Sequence, residues 1–298
     1  MADATGVPFP LARVDRERIQ TRLDRLVRDN RFTIAVVFPL VGAVLLVASA
    51  RGALPPLFEY NAALILFGTA VMRLPLVVGV LPTFDRTAVA GVVALVAYAY
   101  GIELVGVTTG WPYGGFEYGI DLGPMVLGSV PLGLPIFFLP LVFNSYLLAL
   151  LLLGDRARHR VARLGVSLAG VMAIDLVLDP GAVAVDFWRY LPPGPYYGVP
   201  ASNYAGWLLS GTVAVVVFDL SLDARALLDR LESCEFALDD MVSFVLLWGG
   251  INALYWQPIP VAVAGVLAVG LIRTDRFDVA VFGGQLLGVW RTIRSVRR

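Results

Sequence analysis

The sequence contains no lysine, one cysteine and one histidine among its 298 residues. Cys234 alone cannot form an intrachain disulfide, a thiol-based metal cluster or a CxxC redox pair. His159 alone excludes a metal site built from several histidines. A Schiff base needs a lysine amine, so the chain cannot bind retinal in the way that retinal-binding helix bundles do.

Charge is also scarce. Only 15% of the residues are charged, 58% are hydrophobic and the mean hydropathy is +0.77, whereas a soluble domain carries about 25% charged residues. The formal net charge is zero, which gives no indication of nucleic-acid binding. We therefore predict an integral membrane protein.

The apolar stretches predict the positions of the spans, since a helix needs roughly 20 apolar residues to cross a bilayer. We predict an all-α, polytopic bundle of about eight transmembrane helices that forms a single domain over residues 1–298. The spans are residues 32–50, 61–81, 87–107, 131–153, 161–177, 203–220, 241–255 and 258–272. The last two are short and are divided by Trp256, Gln257 and Pro258, so they fit either one broken helix or a tight hairpin.

The arginines indicate orientation, because cytoplasmic segments of membrane proteins carry an excess of Lys and Arg. They concentrate in the head (1–31), after the fourth and sixth spans, and in the tail (277–298). We therefore expect both termini in the cytoplasm and a multi-pass protein of the cell membrane.

The head lacks an apolar stretch and a cleavage site, so we expect no signal peptide. Apolar stripes in the head, in residues 222–236 and in the tail predict helices that lie flat on the headgroups.

Two arginine-poor connections, residues 101–131 and 175–207, are long and rich in Gly, Pro, Tyr and Trp. Loops of this length in a compact bundle are usually functional or disordered, and the many aromatic residues argue against disorder. Carboxylates cluster here, at Glu103, Glu117, Asp121, Asp175, Asp179 and Asp186. This side of the membrane is where we expect chemistry.

Asp175 and Asp179 are the most informative of these carboxylates. They are four residues apart, which places them on one face of a helix about one turn apart. A charge inside a membrane costs at least ~2.5–3.5 kcal/mol at the helix centre, so such residues normally face a cavity or a partner. Two like charges at this spacing repel, an arrangement that favours one protonated acid beside one ionised base.

Structural interpretations of the same residues remain open. Asp179 precedes Pro180 and could end the helix, and Asp186 could form an exposed ion pair with Arg189. Asn144 could hydrogen-bond between helices. Glu103 could lie at the water boundary, Glu117 and Asp121 could be solvated, and the loop aromatics could form an interfacial belt.

The two loops carry motifs that resemble a known family. The first has Gly110-Trp111-Pro112-Tyr113-Gly114, Tyr118, Leu122-Gly123 and Val130-Pro131-Leu132 with Pro135. The second has Asp175-Leu176-Val177-Leu178-Asp179-Pro180, Phe187-Trp188, Tyr197-Gly198-Val199-Pro200, Ser202-Asn203-Tyr204 and Gly206-Trp207. In this order the motifs resemble the CruF-type carotenoid hydratases, membrane proteins of carotenoid biosynthesis.

The resemblance implies hydration of the terminal isopropylidene double bond of a long polyene. The absence of lysine, the many arginines and the excess of aspartate over glutamate are typical of a haloarchaeal, GC-rich source. In that setting the implied reaction converts bisanhydrobacterioruberin to bacterioruberin. In a bacterial setting the substrate would be a monocyclic or shorter acyclic carotene.

This chemistry needs an acid, activated water and aromatic walls that stabilise a cation. We predict Asp175 as the acid and Asp179 as the base, with Glu103 able to exchange roles with either. The side chains expected to bind substrate are Trp111, Tyr113, Glu117, Tyr118, Asn144, Asp186, Trp188, Tyr196, Tyr197, Asn203 and Trp207. We expect no metal and no other cofactor. The expected partners are the lipid bilayer, the carotenoid and other membrane enzymes of the carotenoid pathway.

Two other classes of function remain open. The Asp175–Asp179 spacing also suits the Mg²⁺-diphosphate site of a membrane prenyltransferase resembling a lycopene elongase. A second DxxxD motif, Asp219 to Asp223, lies on the predicted cytoplasmic side, roughly a membrane thickness away. A non-enzymatic carotenoid-binding or transport protein would instead use its intramembrane acids as a proton or ion path.

Overall fold

The computed structural model describes residues 11–276. This part of the chain forms an all-α bundle with four very short strands in its loops. The helices are α1 (Leu11–Asp29), α2 (Phe38–Ala50), α3 (Ala62–Val80), α4 (Arg86–Thr109), α5 (Leu134–Leu153), α6 (Arg160–Ala184), α7 (Ala201–Ser221), α8 (Ala224–Ser233), α9 (Asp239–Leu254) and α10 (Pro258–Arg273). The strands are β1 (Phe116–Tyr118), β2 (Met125–Val126), β3 (Val130–Pro131) and β4 (Trp188–Tyr190).

Within the described residues, six helical segments are long and apolar enough to cross a membrane. They contain α2 with its preceding π-helical turn Thr33–Val37, and α3, α4, α5, α6 and α7. By contrast, α9 and α10 have 16 residues each, about 24 Å at 1.5 Å per residue, less than the ~30 Å hydrocarbon core. The all-α membrane bundle is confirmed, and the predicted count of about eight corresponds to six long and two short helices.

The last two helices form a hairpin rather than one broken helix. Only residues 255–257 separate them, and Trp256 adopts a positive φ of 55° at the bend. The two helices then pack against each other. A Cβ on Gly249 of α9 would lie 3.2 Å from the Cβ of Ala264 in α10, so glycine permits a close approach.

Local sequence explains where several helices begin and end. The Asn61 side chain accepts a hydrogen bond from the amide of Leu64 (3.1 Å) at the start of α3, and Asp85 accepts one from Ala88 (2.8 Å) at the start of α4. Such N-caps satisfy backbone donors that have no partner within the helix. Gly110 ends α4 with a φ of 76°, the left-handed conformation common after a helix C-terminus.

Prolines inside α5 and α6 leave backbone carbonyls without helical partners, because proline has no N–H. In α6, Pro180 cannot bond to the carbonyl of Leu176, and the Tyr196 hydroxyl donates to that oxygen instead (3.2 Å). In α5, Pro140 has the same effect on Ile136, whose carbonyl accepts from Nε of Arg73 (3.2 Å). Side chains from neighbouring segments therefore stabilise both proline-containing helices.

α5 lies at the centre of the bundle and α4 at its periphery. In the most apolar stretch of the segment that contains α5, 67% of the residues are buried. In the corresponding stretch of α4, only 22% are buried. α5 packs most extensively against α6 and also contacts α3, α4 and α7. Asp175 and Asp179 of α6 are buried, so these polar groups lie within the protein rather than against lipid.

The segments predicted to lie on the membrane surface form helices where they are described. In α8, Leu227 and Leu231 are buried, as are the flanking Leu222 and Phe236. Much of this apolar stripe therefore packs against the bundle. The head forms α1, which contacts α3. The predicted tail helix lies outside the described residues, and the flat orientation of these segments stays a prediction.

Candidate active site

The two aromatic loops meet in an antiparallel ribbon of β1 and β4. Phe116 pairs with Tyr190, Glu117 with Arg189, and Tyr118 with Trp188. Successive side chains of a strand point to opposite faces. The four aromatic side chains accordingly line a cavity, whereas Glu117 and Arg189 are exposed on the other face. The ribbon brings together two segments that are about seventy residues apart in sequence.

The cavity has a volume of about 110 Å³ and lies between the ribbon and helices α4, α5, α6 and α7. Its walls are mostly aromatic and aliphatic, with a few polar groups. The lining residues are Glu103, Tyr113, Phe116, Tyr118, Leu122, Pro131, Leu134, Phe137, Phe138, Leu141, Leu178, Asp179, Phe187, Trp188, Tyr190, Asn203 and Trp207. An apolar cavity of about 150 Å³ holds a benzene molecule, so this one suits the end of a long apolar molecule rather than its whole length.

Asp179 reaches the cavity from α6. Its Oδ2 accepts hydrogen bonds from the Tyr190 hydroxyl (2.9 Å) and from Nδ2 of Asn203. The residue is buried, and Pro180 follows it inside α6 rather than ending the helix. Two donors on one carboxylate oxygen stabilise its ionised form.

Asp175 lies one helical turn before Asp179 and is fully buried. Nδ2 of Asn203 lies 3.4 Å from its Oδ2, so the same amide contacts both carboxyl groups. Asp175 is not among the residues that line the cavity. It therefore sits behind Asp179, as seen from the cavity.

Glu103 reaches the same cavity from α4. Its Oε1 accepts a hydrogen bond from the Tyr118 hydroxyl of β1. Glu103 as a whole residue is half-buried, and it contributes to the cavity wall. The cavity thus has one carboxyl group on α4 and another on α6.

Within residues 11–276, no arginine forms an ion pair with Glu103, Asp175 or Asp179; the ion pairs found there involve other carboxylates. An ionised carboxylate in an apolar environment is costly unless it is paired. Two carboxyl groups that line one cavity, with a third next to one of them, therefore favour a state in which some hold a proton. Such a site can both give and take protons.

Tyr113 lines the cavity from the first loop and is held by a chain of hydroxyl groups. Its hydroxyl lies 2.7 Å from Oγ of Ser210 on α7, which lies 3.1 Å from the hydroxyl of Tyr98 on α4. Gly206 allows the ring to pack against α7, since a Cβ there would lie 2.4 Å from it. A small residue and a hydroxyl group one turn apart on α7 thus fix this wall.

Seven of the predicted site residues line the cavity. They are Glu103, Tyr113, Tyr118, Asp179, Trp188, Asn203 and Trp207. The structure places three others on the outer face of the ribbon or beyond it. Trp111 is 59% exposed, and Glu117 and Asp186 both pair with Arg189. The hydrogen bond from Arg189 to Asp186 raises the pKa of the guanidinium.

Two predicted tyrosines lie behind the cavity rather than in it. The Tyr196 hydroxyl donates to the carbonyl of Leu176, and the ring of Tyr197 contacts that of Tyr196 at 5.0 Å between centroids. Burial raises the pKa of Tyr196 to about 12, so its hydroxyl remains a proton donor at neutral pH.

Asn144 has a structural partner away from the cavity. Its Nδ2 donates to Oδ2 of Asp240 on α9 (2.6 Å), and Asp240 also pairs with Arg73 of α3. All three side chains are buried or nearly so. Asn144 does not line the cavity, and its role in substrate binding stays a prediction.

Several lining residues were not singled out from the sequence. Tyr190 and Phe116 follow from the alternation in Phe-Glu-Tyr and Trp-Arg-Tyr, a period-2 signal of paired strands. Phe137, Phe138 and Phe187 carry no comparable signal, because phenylalanines in an apolar chain look alike. Their role depends on which face of α5 meets the cavity.

The second DxxxD motif is committed to other contacts. Asp219 accepts hydrogen bonds from Arg160, Arg163 and the Tyr146 hydroxyl. Asp223 instead caps α8 through the amides of Arg225 and Ala226. Among the described residues, no group of three or more His, Cys, Asp or Glu side chains is arranged to hold a metal ion.

Comparison with known proteins gives consistent matches. The profile of the family described as carotenoid biosynthesis protein matches residues 60–271. The bisanhydrobacterioruberin hydratase of Haloarcula japonica is 60% identical over 271 residues, which cover 91% of this chain and 92% of that protein. No solved structure matches the chain. The matched region contains the cavity, and the chain belongs to the carotenoid biosynthesis protein family.

Proposed function

We propose that this protein is a carotenoid hydratase that adds water to the terminal isopropylidene double bonds of bisanhydrobacterioruberin, giving bacterioruberin. The observation that carries this proposal is the aromatic cavity with a carboxyl group on each of two walls, in a chain 60% identical to a bisanhydrobacterioruberin hydratase. The cavity with its two carboxyl groups indicates acid–base chemistry, and the similarity to the hydratase indicates the class of substrate.

The reaction begins with protonation of the alkene. A proton adds to the CH carbon of the double bond, and the carbon that bears two methyl groups becomes a tertiary cation. The oxygen of water then bonds to this carbon, and the water gives up one proton. The net change is one water added per end, which needs an acid, a base and a bound water molecule but no cofactor.

Glu103 is the group we assign as the acid and Asp179 as the base. Both line the cavity, so both can contact a bound alkene. Asp179 receives two hydrogen bonds that favour its ionised form, whereas Glu103 receives one, from Tyr118. An ionised Asp179 accepts the proton that water releases, and a neutral Glu103 supplies the first proton.

This assignment moves Asp175 away from the acid role that its depth in the helix suggested. Asp175 is fully buried behind Asp179 and linked to it through Asn203. It can influence the charge of Asp179, but it does not line the cavity. The exchange of roles expected for Glu103 fits this geometry.

The aromatic walls suit the cationic intermediate. Tyr118, Trp188 and Trp207 line the cavity, and the face of an aromatic ring attracts a cation by about 0.5–2 kcal/mol. The same walls exclude bulk water, so that the cation meets a bound water molecule rather than solvent.

The substrate enters from the membrane in this proposal. The cavity holds about 110 Å³, enough for an end group, so the remaining polyene extends into the lipid or along the helices. We infer that the ribbon lies on the non-cytoplasmic side, with both termini in the cytoplasm. Other carotenoid-pathway enzymes in the same membrane are the expected source of the substrate.

Expression in a host that accumulates bisanhydrobacterioruberin tests the proposal. Extracted pigments should gain the mass of one water for each reacted end, and the empty-vector host should not show this change. Pigment that binds to the protein without any change in mass would instead support a carotenoid-binding protein. Release of diphosphate that depends on Mg²⁺ would support a prenyltransferase.

A further inference from the structure

Behind the cavity, α6 and α7 contribute a cluster of buried polar atoms. Two buried atoms there have no hydrogen-bond partner in the protein: Oδ1 of Asp175 and the hydroxyl of Tyr204. The Tyr204 hydroxyl interacts electrostatically with both Asp175 and Asp179. Its ring contacts Tyr196 at 5.7 Å between centroids, and the Tyr196 hydroxyl binds the carbonyl of Leu176, next to Asp175.

Unpartnered buried polar groups are rare, because leaving one without a hydrogen bond costs about 1–3 kcal/mol. Such groups are commonly satisfied by a buried water molecule with two to four polar partners. The carboxylate oxygen of Asp175 accepts a hydrogen bond, and the Tyr204 hydroxyl can donate or accept one. Together they offer complementary partners to a molecule of this size.

The size of the cavity supplies the second argument. At about 110 Å³, it is smaller than the ~150 Å³ cavity that holds benzene, so an end group takes up most of it. We therefore expect the reacting water beside the end group, at a polar wall. Asn203 belongs to that wall and also contacts Asp175, so it joins the cavity to this polar cluster.

We propose that Asp175 and Tyr204 bind the reactant water and deliver it past Asn203 to the cation beside Asp179. This inference rests on the proposed hydratase function and names Tyr204 as a positioning residue for it. The oxygen of that water bonds to the tertiary carbon, and one of its protons passes to Asp179. The proton that created the cation comes from Glu103.

Loss of the bound water separates protonation of the alkene from addition of water, which normally follow each other. The alkene can still be protonated, but the cation then has no nearby nucleophile. It loses a proton to a carboxylate and becomes an alkene again. In deuterium oxide this sequence exchanges hydrogen for deuterium without adding water, so exchange and hydration report different steps.

The experiment uses membranes that contain the full chain, bisanhydrobacterioruberin and deuterium oxide. Mass spectrometry measures hydrated product and the deuterium in the unhydrated carotenoid. With Tyr204→Phe we expect hydration to fall about tenfold or more, in the range of a lost proton-transfer or positioning group, while exchange persists. The ratio of exchange to hydration rises accordingly. Tyr146→Phe, which also removes a buried hydroxyl group but one that binds Asp219 away from the cavity, should leave both rates per folded protein unchanged.

Equal losses of exchange and hydration in Tyr204→Phe would overturn the inference, as would an unchanged ratio. A raised ratio in Trp188→Phe but not in Tyr204→Phe would also overturn it, because the buried indole N–H of Trp188 likewise has no partner and would then hold the water. If Tyr204→Phe does not accumulate, Asp175→Asn must show the raised ratio. A wild-type protein without exchange or hydration would refute the hydratase function itself.

Discussion

Tyr118 and Tyr190 lie diagonally across the ribbon of β1 and β4, and each donates its hydroxyl to a different carboxyl group of the cavity. Tyr118 binds Glu103 of α4, and Tyr190 binds Asp179 of α6. One short ribbon therefore sets the positions of both groups that we assign to proton transfer. Its strands come from the two loops in which the sequence concentrates its aromatic residues and carboxylates.

Replacing Asp179 by asparagine should lower hydration by about a hundredfold or more, because a general base contributes roughly 10²–10⁴-fold to a rate. Asparagine keeps the shape of the side chain but cannot accept the proton from water. Hydrated pigment per amount of membrane-inserted protein is the measurement. Asp186→Asn is the matched control, since Asp186 is half-exposed, does not line the cavity and pairs with Arg189. Equal activity of the two variants would contradict the role of Asp179.

The Tyr118–Glu103 contact gives a graded prediction. Glu103→Gln removes the proposed acid and should reduce hydration as strongly as Asp179→Asn does. Tyr118→Phe leaves the carboxyl group in place but removes its hydrogen-bond donor, which should cost about tenfold, the equivalent of roughly 1.4 kcal/mol. Deuterium exchange into the substrate should fall with hydration in both variants. Persistent exchange in Glu103→Gln would show that another group protonates the alkene.

A bulky side chain placed in the cavity tests whether the end group of the substrate binds there. Leu134 lines the cavity from the first turn of α5, whereas the nearby Ile136 does not line it and is 37% exposed. Leu134→Trp should exclude the end group and raise the substrate concentration needed for half-maximal hydration about tenfold, since overpacking a filled site costs ~1–3 kcal/mol. Ile136→Trp should behave like the wild type. If both variants bind substrate normally, the end group lies elsewhere.

Asn144 should matter for stability rather than for the reaction. Asn144→Leu removes its hydrogen bond to Asp240, and interhelical hydrogen bonds in membrane proteins contribute about 0.6–2 kcal/mol each. The thermal unfolding midpoint in detergent should fall, while hydration per folded protein stays near that of the wild type. A large loss of turnover at unchanged stability would indicate that Asn144 binds substrate.

The helices could be predicted from the sequence because their signal is local. Long apolar stretches mark the six long helices, and Asn61, Asp85 and Gly110 mark ends that side-chain capping and left-handed glycine explain. The hairpin of α9 and α10 was left open, since the sequence does not show whether residues 255–257 bend the chain back. The packing of the two helices against each other decides it.

The site could be predicted only in part, since its contacts are long-range. Asp179, Glu103 and the aromatic loops were identified from their unusual positions in an apolar chain. The ribbon was not, because strands of three residues carry little pattern and their pairing joins distant segments. The partner of Asn144 was missed for the same reason: Asp240 lies 96 residues away, and no local pattern links the two.

The source of the oxygen in the product, together with the residue that activates it, gives the most direct test of hydration at this cavity. Purified protein in lipid, given bisanhydrobacterioruberin and isotopically labelled water, should form a hydroxylated carotenoid that carries the label from water. The same assay with Asp179→Asn should form about a hundredfold less labelled product. Unlabelled product, or equal labelled product from the two proteins, would contradict hydration at this cavity.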